Sequence, residues 1–120
     1  MRAKASRVAA ERAGRRAETL AALLLRLKGY RILERRFRCH AGEIDLIARR
    51  GRLVAFVEVK ARADHAAALL SVTPRARRRI EAAATAWQAQ RLRTLDAPVR
   101  FDIVTVAGAL PRHHADAWRS

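Results

Sequence analysis

The apolar positions in the first quarter of the chain recur at helical spacing. From about Lys4 to Lys28, an apolar residue returns every three or four positions and arginines occupy the opposite face, which predicts an amphipathic helix. The recurring residues are Ala13, Ala17, Leu20, Ala21, Leu24 and Leu27. Gly29 follows, and glycine commonly ends a helix. Residues 30–38 alternate loosely between apolar and polar, which predicts a first strand.

Two further runs are rich in branched apolar residues and predict a β-hairpin. They cover residues 42–48 and 53–60, and residues 50–52 between them contain the glycine of a tight turn. Both runs are apolar on both faces, and a sheet of this kind needs helices on both sides. The pattern therefore predicts an α/β layered domain.

Parity along the hairpin predicts which side chains share a face, because strand side chains alternate with a period of two. In the first run Ile44, Leu46 and Ala48 are predicted on one face, opposite Glu43, Asp45 and Ile47. In the second run Glu58 and Lys60 share a face. Any register that joins the two apolar faces also brings Asp45 to the side of Glu58 and Lys60.

The second half of the chain predicts one more helix and one more strand. Residues 61–71 lack periodicity and are expected to form a loop. Thr73 and Pro74 form a strong helix start, and this helix is expected to continue to about Arg93, with a break at residues 96–98.

The β-rich run 99–106 is predicted to lie parallel to the 53–60 strand through a right-handed crossover. Residues 108–120 are expected to form a C-terminal tail, so that residues 1–107 make a single domain. Asp102 in this run is interpreted as structural or peripheral, and His113 and His114 as incidental surface residues.

Charge is the strongest statement that composition makes. The chain carries 26 lysines and arginines against 11 acids, a formal net charge of +15, which predicts attraction to polyanions and to nucleic acid first. A GC-rich genome, which drives arginine usage, explains arginine in place of lysine, since only Lys4, Lys28 and Lys60 are lysines, but it does not explain the scarcity of acids. An anionic membrane surface would also attract the charge.

Location is predicted from what the sequence lacks. No apolar run is long enough to cross a bilayer, so membrane insertion is not expected. The basic N-terminus leads into a segment with Glu11 and Glu18 rather than an apolar signal core. The single cysteine, Cys39, fits a reducing compartment, and the expected location is the cytoplasm.

The converging charges of the hairpin suit metal-dependent phosphodiester hydrolysis. Asp45 and Glu58 offer hard oxygen ligands to Mg²⁺ or Mn²⁺, and the backbone carbonyl of Val59 is a further candidate ligand. The ammonium group of Lys60 suits the orientation of water or the stabilisation of the transition state. The alternative interpretation is a same-face ion pair between Glu58 and Lys60, with Asp45 at a strand end.

Basic residues crowd the predicted start of the second helix, where cations oppose the helix dipole. A compensating anion is one explanation, and a solvated basic face is the other. The candidate phosphate contacts are Arg75, Arg77, Arg78 and Arg79, together with Arg62.

Several segments, taken in order, closely resemble the bacterial YraN-like family. The resemblance runs from about Arg15 to Val106, and its most specific pieces are Gly-Glu-Ile-Asp-Leu-Ile at residues 42–47 and Val-Glu-Val-Lys at residues 57–60. That family belongs to the restriction-endonuclease-like superfamily and is similar to archaeal Holliday-junction resolvases. The resemblance implies a core of αβββαβ order, with a central mixed sheet flanked by helices.

The resemblance also implies roles for particular residues. Asp45 and Glu58 would be metal ligands and Lys60 the catalytic lysine, while Glu18 would reach the same site from the first helix. Glu43 would be a supporting or additional ligand. This chain departs from relatives in two places: arginines stand where a lysine is frequent near the second helix, and Ala61 stands where a small hydroxyl residue is frequent.

The sequence thus predicts a metal-dependent DNA endonuclease, acting on branched or other structured DNA. A non-catalytic nucleic-acid-binding protein that uses the same basic surface is the main alternative, and an accessory subunit of a larger assembly is another. The sequence leaves open whether the protein acts as a monomer or as a homodimer.

Overall fold

The computed structural model describes residues 2–92 and 97–120. The elements in chain order are α1 (Arg2–Leu27), β1 (Arg31–Cys39), β2 (Gly42–Arg50), β3 (Leu53–Arg62), α2 (His65–Leu70), α3 (Pro74–Trp87), a π-helical turn (Gln88–Leu92), β4 (Val99–Ala107) and β5 (Leu110–Trp118). They form one five-stranded sheet with helices on both faces.

The strands lie in the order β1-β2-β3-β4-β5, with β3 and β4 parallel and the other neighbours antiparallel. One apolar core joins α1 to the sheet through Ala17, Ala21, Ala22 and Leu25. A second core joins the opposite face to α3 through Ile80 and Trp87. The predicted α/β fold is confirmed, including the αβββαβ order and the parallel β3–β4 pair, and α2 and β5 are additional.

The end of α1 follows the predicted chemistry. Gly29 has φ of 90°, a conformation that glycine adopts without strain, and the Tyr30 N–H returns to the Leu25 carbonyl at 2.9 Å. The helix therefore stops where the sequence indicates. Its C-terminal half packs on the sheet, and its first buried residue is Ala17.

The hairpin has the predicted pairing but not the predicted parity throughout. Leu46 pairs with Val57 and Ala48 with Ala55, which joins two apolar faces beneath α1. Ile44, however, packs with Ile47 in the core beneath α3, so its predicted place beside Leu46 and Ala48 is wrong. The alternation breaks at Asp45.

The break in parity has a visible backbone partner. On the neighbouring strand, Arg36 lies between the residues paired with Leu46 and Ile44, and its φ is 55°. A left-handed residue turns the strand locally. At the same level of β2, the residue before Asp45 and the residue after it point to opposite faces of the sheet. As a result the Asp45 carboxylate lies close to the layer of the sheet itself.

Two expected irregular segments contain regular structure. The expected loop at residues 61–71 contains α2, whose first turn is capped by the Asp64 carboxylate, which accepts the Ala67 N–H at 2.7 Å. The expected tail at residues 108–120 is also wrong, because β5 runs antiparallel to β4 along the sheet edge. Its polar residues have partners that are distant in sequence.

The start of α3 is as predicted. Thr73 accepts the Ala76 N–H at 3.1 Å and Pro74 occupies the first turn. The helix continues through the π-helical turn to Leu92. The predicted end at Arg93 and the start of the predicted break at Asp96 lie outside the described residues.

In residues 2–92 and 97–120, none of the helices is both long enough and apolar enough to span a bilayer.

Candidate functional site

Two carboxyl groups meet where β2 and β3 diverge. The Asp45 Oδ2 accepts the backbone N–H of Val59 at 2.8 Å, which draws its carboxylate toward Glu58 on the same strand. Burial raises the pKa of Glu58, and a hydrogen bond to Asp45 and the charge of that residue raise it further, to about 9. Glu58 therefore favours its protonated form at neutral pH.

Lys60 lies two residues after Glu58 on β3, on the same face of the strand. Its positive charge lowers the pKa of Glu58, but by less than burial and Asp45 raise it. Both residues are half-buried, and no ion pair joins them in the described part of the chain. Asp45 and Lys60 both act on Glu58, and the alternative of a closed Glu58–Lys60 ion pair is not present; the joint role of the three residues stays a prediction.

Glu18 approaches from α1, as the family resemblance implies. Only 7% of its surface is exposed, although residues 4–16 of the same helix are all exposed. The guanidinium of Arg36 donates hydrogen bonds to the carboxylate from Nε at 2.9 and 3.0 Å and from Nη2 at 2.8 Å. Glu18 is thus held in place by a charge partner that the sequence did not suggest.

A cavity of about 300 Å³ connects Glu18 to Asp45. Its lining residues are Glu11, Gly14, Arg15, Glu18, Arg36, Arg38, Glu43, Ile44 and Asp45. Four acids and three arginines thus face one space between α1 and the start of β2. A mixed lining of this kind suits a phosphate group that arrives with a cation.

Glu43 lies at the rim, where a second cavity of about 350 Å³ begins between Glu58 and α3. It is largely exposed and its nearest cation is Arg38, at 3.3 Å. Gly42 lets the strand approach α3 closely, because a Cβ there would lie 2.6 Å from the Arg79 carbonyl oxygen. That close packing brings Arg79 to the second cavity beside both acids.

The five predicted phosphate contacts do not form one group. Arg75, Arg78 and Arg79 are exposed on α3, and Arg62 is exposed at the end of β3. Arg77 instead turns toward the sheet edge, where its guanidinium lies 5.5 Å from the centre of the Trp118 ring. Its geometry is that of a packing residue, so it is separated from the other four.

The donor set at the strand ends fits a small hard cation. In residues 2–92 and 97–120, no group of three or more His, Cys, Asp or Glu side chains is arranged to hold a metal. Mg²⁺ needs fewer, because it keeps several waters and often takes one or two carboxylates. Asp45 and Glu58 supply these, and the Val59 carbonyl is the predicted main-chain ligand. The residues therefore fit Mg²⁺ or Mn²⁺ with water in the remaining positions.

A buried polar chain near Lys60 was missed by the sequence analysis. Thr105 pairs with Lys60 in the parallel ladder, and its hydroxyl lies 2.7 Å from His65 Nδ1 and 2.9 Å from His114 Nε2. Burial lowers the pKa of His114, followed by repulsion from Arg112 and His65, which favours the neutral ring. No spacing in the sequence signals this group, because its members come from three elements.

The interpretation of both tail histidines as surface residues is therefore wrong. His114 belongs to the Thr105 group, and the His113 side chain is only 2% exposed, with Nε2 at 2.7 Å from Asp102 Oδ2. Asp102 is fully buried, in agreement with a structural role. Strand pairing between β4 and β5 creates both contacts, and the local sequence does not carry them.

These observations define a class of protein: an α/β domain with a mixed sheet and an acidic pair at the diverging ends of two central strands. The model of the family described as Uncharacterised protein family UPF0102 matches residues 17–106, three quarters of the chain, and the chain belongs to this family.

Similar proteins occur in several bacteria. A UPF0102 protein of Parvibaculum lavamentivorans is 53% identical over 116 residues, covering 96% of this chain and 87% of the relative. A UPF0102 protein of Paramagnetospirillum magneticum is 56% identical over 116 residues, covering 92% of this chain and 90% of the relative. A UPF0102 protein of Brucella canis is 57% identical over 99 residues, covering 82% and 76%.

Proposed function

We propose that this protein is a metal-dependent endonuclease that hydrolyses phosphodiester bonds in DNA. The observation that carries the proposal is the hydrogen bond from the Val59 N–H to the Asp45 carboxylate, which brings Asp45 across to the strand that carries Glu58 and Lys60. Burying two acids side by side costs free energy, and such an arrangement is typical of a site that receives a cation.

In this proposal Asp45, Glu58 and the Val59 carbonyl hold Mg²⁺ or Mn²⁺. The ion, when bound, polarises the phosphate and lowers the pKa of an attacking water. Lys60 orients that water and stabilises negative charge on the phosphate oxygens. Glu18, held by Arg36, lines the cavity that also contains Asp45. It positions polar groups on the α1 side of that cavity.

We also propose that the family belongs to the restriction-endonuclease-like superfamily. Three features support the link: the αβββαβ order, the parallel β3–β4 pair, and the acids and lysine at the ends of the two central strands. A helix glutamate beside those acids, as in the resolvase-like relatives, is a fourth. This link is what suggests branched DNA as the substrate.

Arg79 is the basic residue with the clearest route to the substrate. It lines the cavity that contains Glu43 and Glu58. Two further exposed arginines, Arg75 and Arg78, lie on the same helix. Phosphates on either side of the cleaved bond would contact these side chains. We assign Arg62, beyond Lys60, to the same role.

The test is incubation of the purified protein with linear, flapped and four-way DNA in the presence of Mg²⁺ or Mn²⁺. We expect cleavage by the wild type, and a loss of at least about 100-fold in Asp45→Asn, Glu58→Gln and Lys60→Ala, because each loses a ligand or a transition-state contact. A chelator should abolish the reaction. Cleavage that persists in Lys60→Ala would contradict the proposal.

Matched controls separate this effect from general loss of acids or cations. Asp116→Asn removes an exposed acid at the far edge of the sheet, and Arg52→Ala removes an exposed cation at the β2–β3 turn. Both variants should cleave as the wild type does. A contaminating nuclease would cut equally in every preparation.

A second candidate is a nucleic-acid-binding protein without catalysis. The observation that favours it is the Arg36–Glu18 pair, since a glutamate with its carboxylate fully engaged by a guanidinium is not free to bind metal. This alternative predicts salt-sensitive DNA binding that requires no metal and does not change in Asp45→Asn or Glu58→Gln. Binding measured with and without Mn²⁺ distinguishes the two.

A further inference from the structure

The first half of α1 extends beyond the body of the protein. Every residue from Lys4 to Arg16 is exposed, and burial begins only at Ala17. At about 1.5 Å per residue this free segment is about 20 Å long. We call residues 4–16 the arm.

The arm is strongly basic along one side and slender between its charges. It carries one acid, Glu11, and five cations, which are Lys4, Arg7, Arg12, Arg15 and Arg16. Most of the remaining residues are alanine, glycine or serine, and the single larger apolar side chain is Val8. The arm therefore has little apolar surface with which to bind a protein core or a lipid surface.

The isolated arm is poorly stabilised as a helix. Its first turn has no acid, so Lys4 opposes the helix dipole. Arg12 and Arg16 repel each other at a spacing of four residues, although Glu11 stands at the same, favourable spacing from Arg7 and from Arg15. A polyanion laid along the arm would remove these penalties, whereas a second basic copy of the chain would add to them.

The root of the arm joins the candidate site. Glu11, Gly14 and Arg15 line the cavity that contains Glu18 and Asp45. A duplex whose phosphodiester enters that cavity would therefore continue beside the arm. A bare helix of this kind is narrow enough for the major groove, which is about 12 Å wide.

We propose that the arm binds duplex DNA next to the site of cleavage, chiefly through phosphate contacts. The inference rests on the proposed function for the identity of the polyanion, and it adds an interaction surface outside the cavity and outside α3. Binding would stabilise the arm as a helix. The arm would thus determine how much duplex flanks the bond that is cut.

The test compares two triple variants with the same change in charge. Arg7, Arg12 and Arg16→Gln removes three arm cations while it keeps good helix formers and leaves the cavity residue Arg15 unchanged. Arg31, Arg49 and Arg52→Gln removes three exposed cations near the β2–β3 turn, at the other end of the hairpin. Affinity for a labelled 30-bp duplex is measured at several salt concentrations in chelator, so that no cleavage intervenes.

We expect the arm variant to lower the slope of log affinity against log salt by about 2 to 3 units, because each phosphate contact contributes about 0.9. At moderate salt its affinity should fall about tenfold or more. The control variant should keep the wild-type slope. Amide hydrogen exchange in residues 4–16 should slow when DNA is added to the wild type.

Each other outcome has a definite meaning. Equal slope changes in both variants, or none in the arm variant, overturn the arm proposal even if the protein cleaves DNA. A selective slope change without cleavage supports the arm and contradicts the nuclease. No binding to duplex DNA by the wild type overturns both, and an effect confined to duplex RNA overturns the choice of DNA.

Discussion

Two pairs of opposite charges, Glu58-x-Lys60 and Arg100-x-Asp102, occupy neighbouring parallel strands and have contrasting structures. In each pair the partners are two residues apart, so both share a face of a strand. Arg100 closes on Asp102 with two hydrogen bonds of 2.7 Å. Glu58 is instead influenced most, after burial, by another acid, Asp45, and in the part of the chain that the structure describes it forms no ion pair with Lys60.

Neighbours from distant strands decide the difference. Burial would raise the pKa of Asp102, but hydrogen bonds from Arg100, from His113 and from the backbone N–H of Asp116 outweigh it and lower the pKa to about 2. Glu58 has burial and Asp45 acting in the same direction. A buried acid with a complete set of donors stabilises the fold, while a buried acid beside another acid costs free energy unless it is protonated or binds a cation.

The largest effect expected is on stability, at Asp102. Asp102→Asn leaves the buried Arg100 without its carboxylate, which should lower the free energy of unfolding by about 3–5 kcal/mol. Glu58→Gln should raise it at pH 7, because unfolding lets the wild-type Glu58 ionise whereas glutamine stays neutral in both states. Urea unfolding checks both, with Asp116→Asn as an exposed control. Equal losses at residues 58 and 102 would remove the distinction.

Metal should stabilise one region and not the other. At a concentration 100 times its dissociation constant, Mn²⁺ should raise the free energy of unfolding by about 2.7 kcal/mol, because it binds only the folded site. Asp45→Asn and Glu58→Gln should lose this gain, and Asp116→Asn should keep it. Thermal unfolding with and without Mn²⁺ is the measurement. An equal metal-induced shift in all variants would indicate adventitious binding.

The two regions should also respond to pH in opposite directions in metal-free protein. The pKa of Asp102 is lowered from 3.8 to about 2, so its stabilisation is complete above pH 4 and is lost toward pH 2, a change of about 2 kcal/mol. The pKa of Glu58 is raised from 4.5 to about 9, so its stabilisation is complete below pH 4.5 and is lost toward pH 9.

Urea unfolding across that range checks the signs. Glu58→Gln should flatten the decline between pH 5 and pH 9, because glutamine does not titrate. The acid decline of this variant should match that of the wild type. A Glu58→Gln profile that still falls steeply toward pH 9 would assign the decline to another group.

The sequence predicted the parts of this comparison that depend on local pattern. Apolar spacing indicated α1, α3, the hairpin and the parallel strand, and parity brought Asp45 to Glu58 and Lys60. The prediction from parity was wrong for Ile44, which packs beneath α3. The left-handed φ of Arg36 on the neighbouring strand accompanies this change, and an arginine-rich segment gives no sequence signal for it.

The rest depended on partners distant in sequence. The sequence predicted a tail at residues 110–118 because their polar side chains find donors and acceptors on residues distant in sequence, chiefly on β4 and α3. Packing of separate elements likewise creates the Arg36–Glu18 ion pair and the His65–Thr105–His114 hydrogen-bonded chain. Of the missed elements, only α2 had a local signal: Asp64, placed as a helix cap.

The smallest effect expected is the coupling between Glu58 and Lys60. In a double-mutant cycle with Glu58→Gln and Lys60→Met, the coupling energy should be about 0.5 kcal/mol or less, because no hydrogen bond joins the two side chains. The matching cycle with Arg100→Gln and Asp102→Asn should give about 2–3 kcal/mol. Urea unfolding at pH 7 without metal measures both. A Glu58–Lys60 coupling as large as that of Arg100 and Asp102 would mean that the pair closes in solution, and Lys60 would then be a structural partner of Glu58 and not free to act on a phosphate.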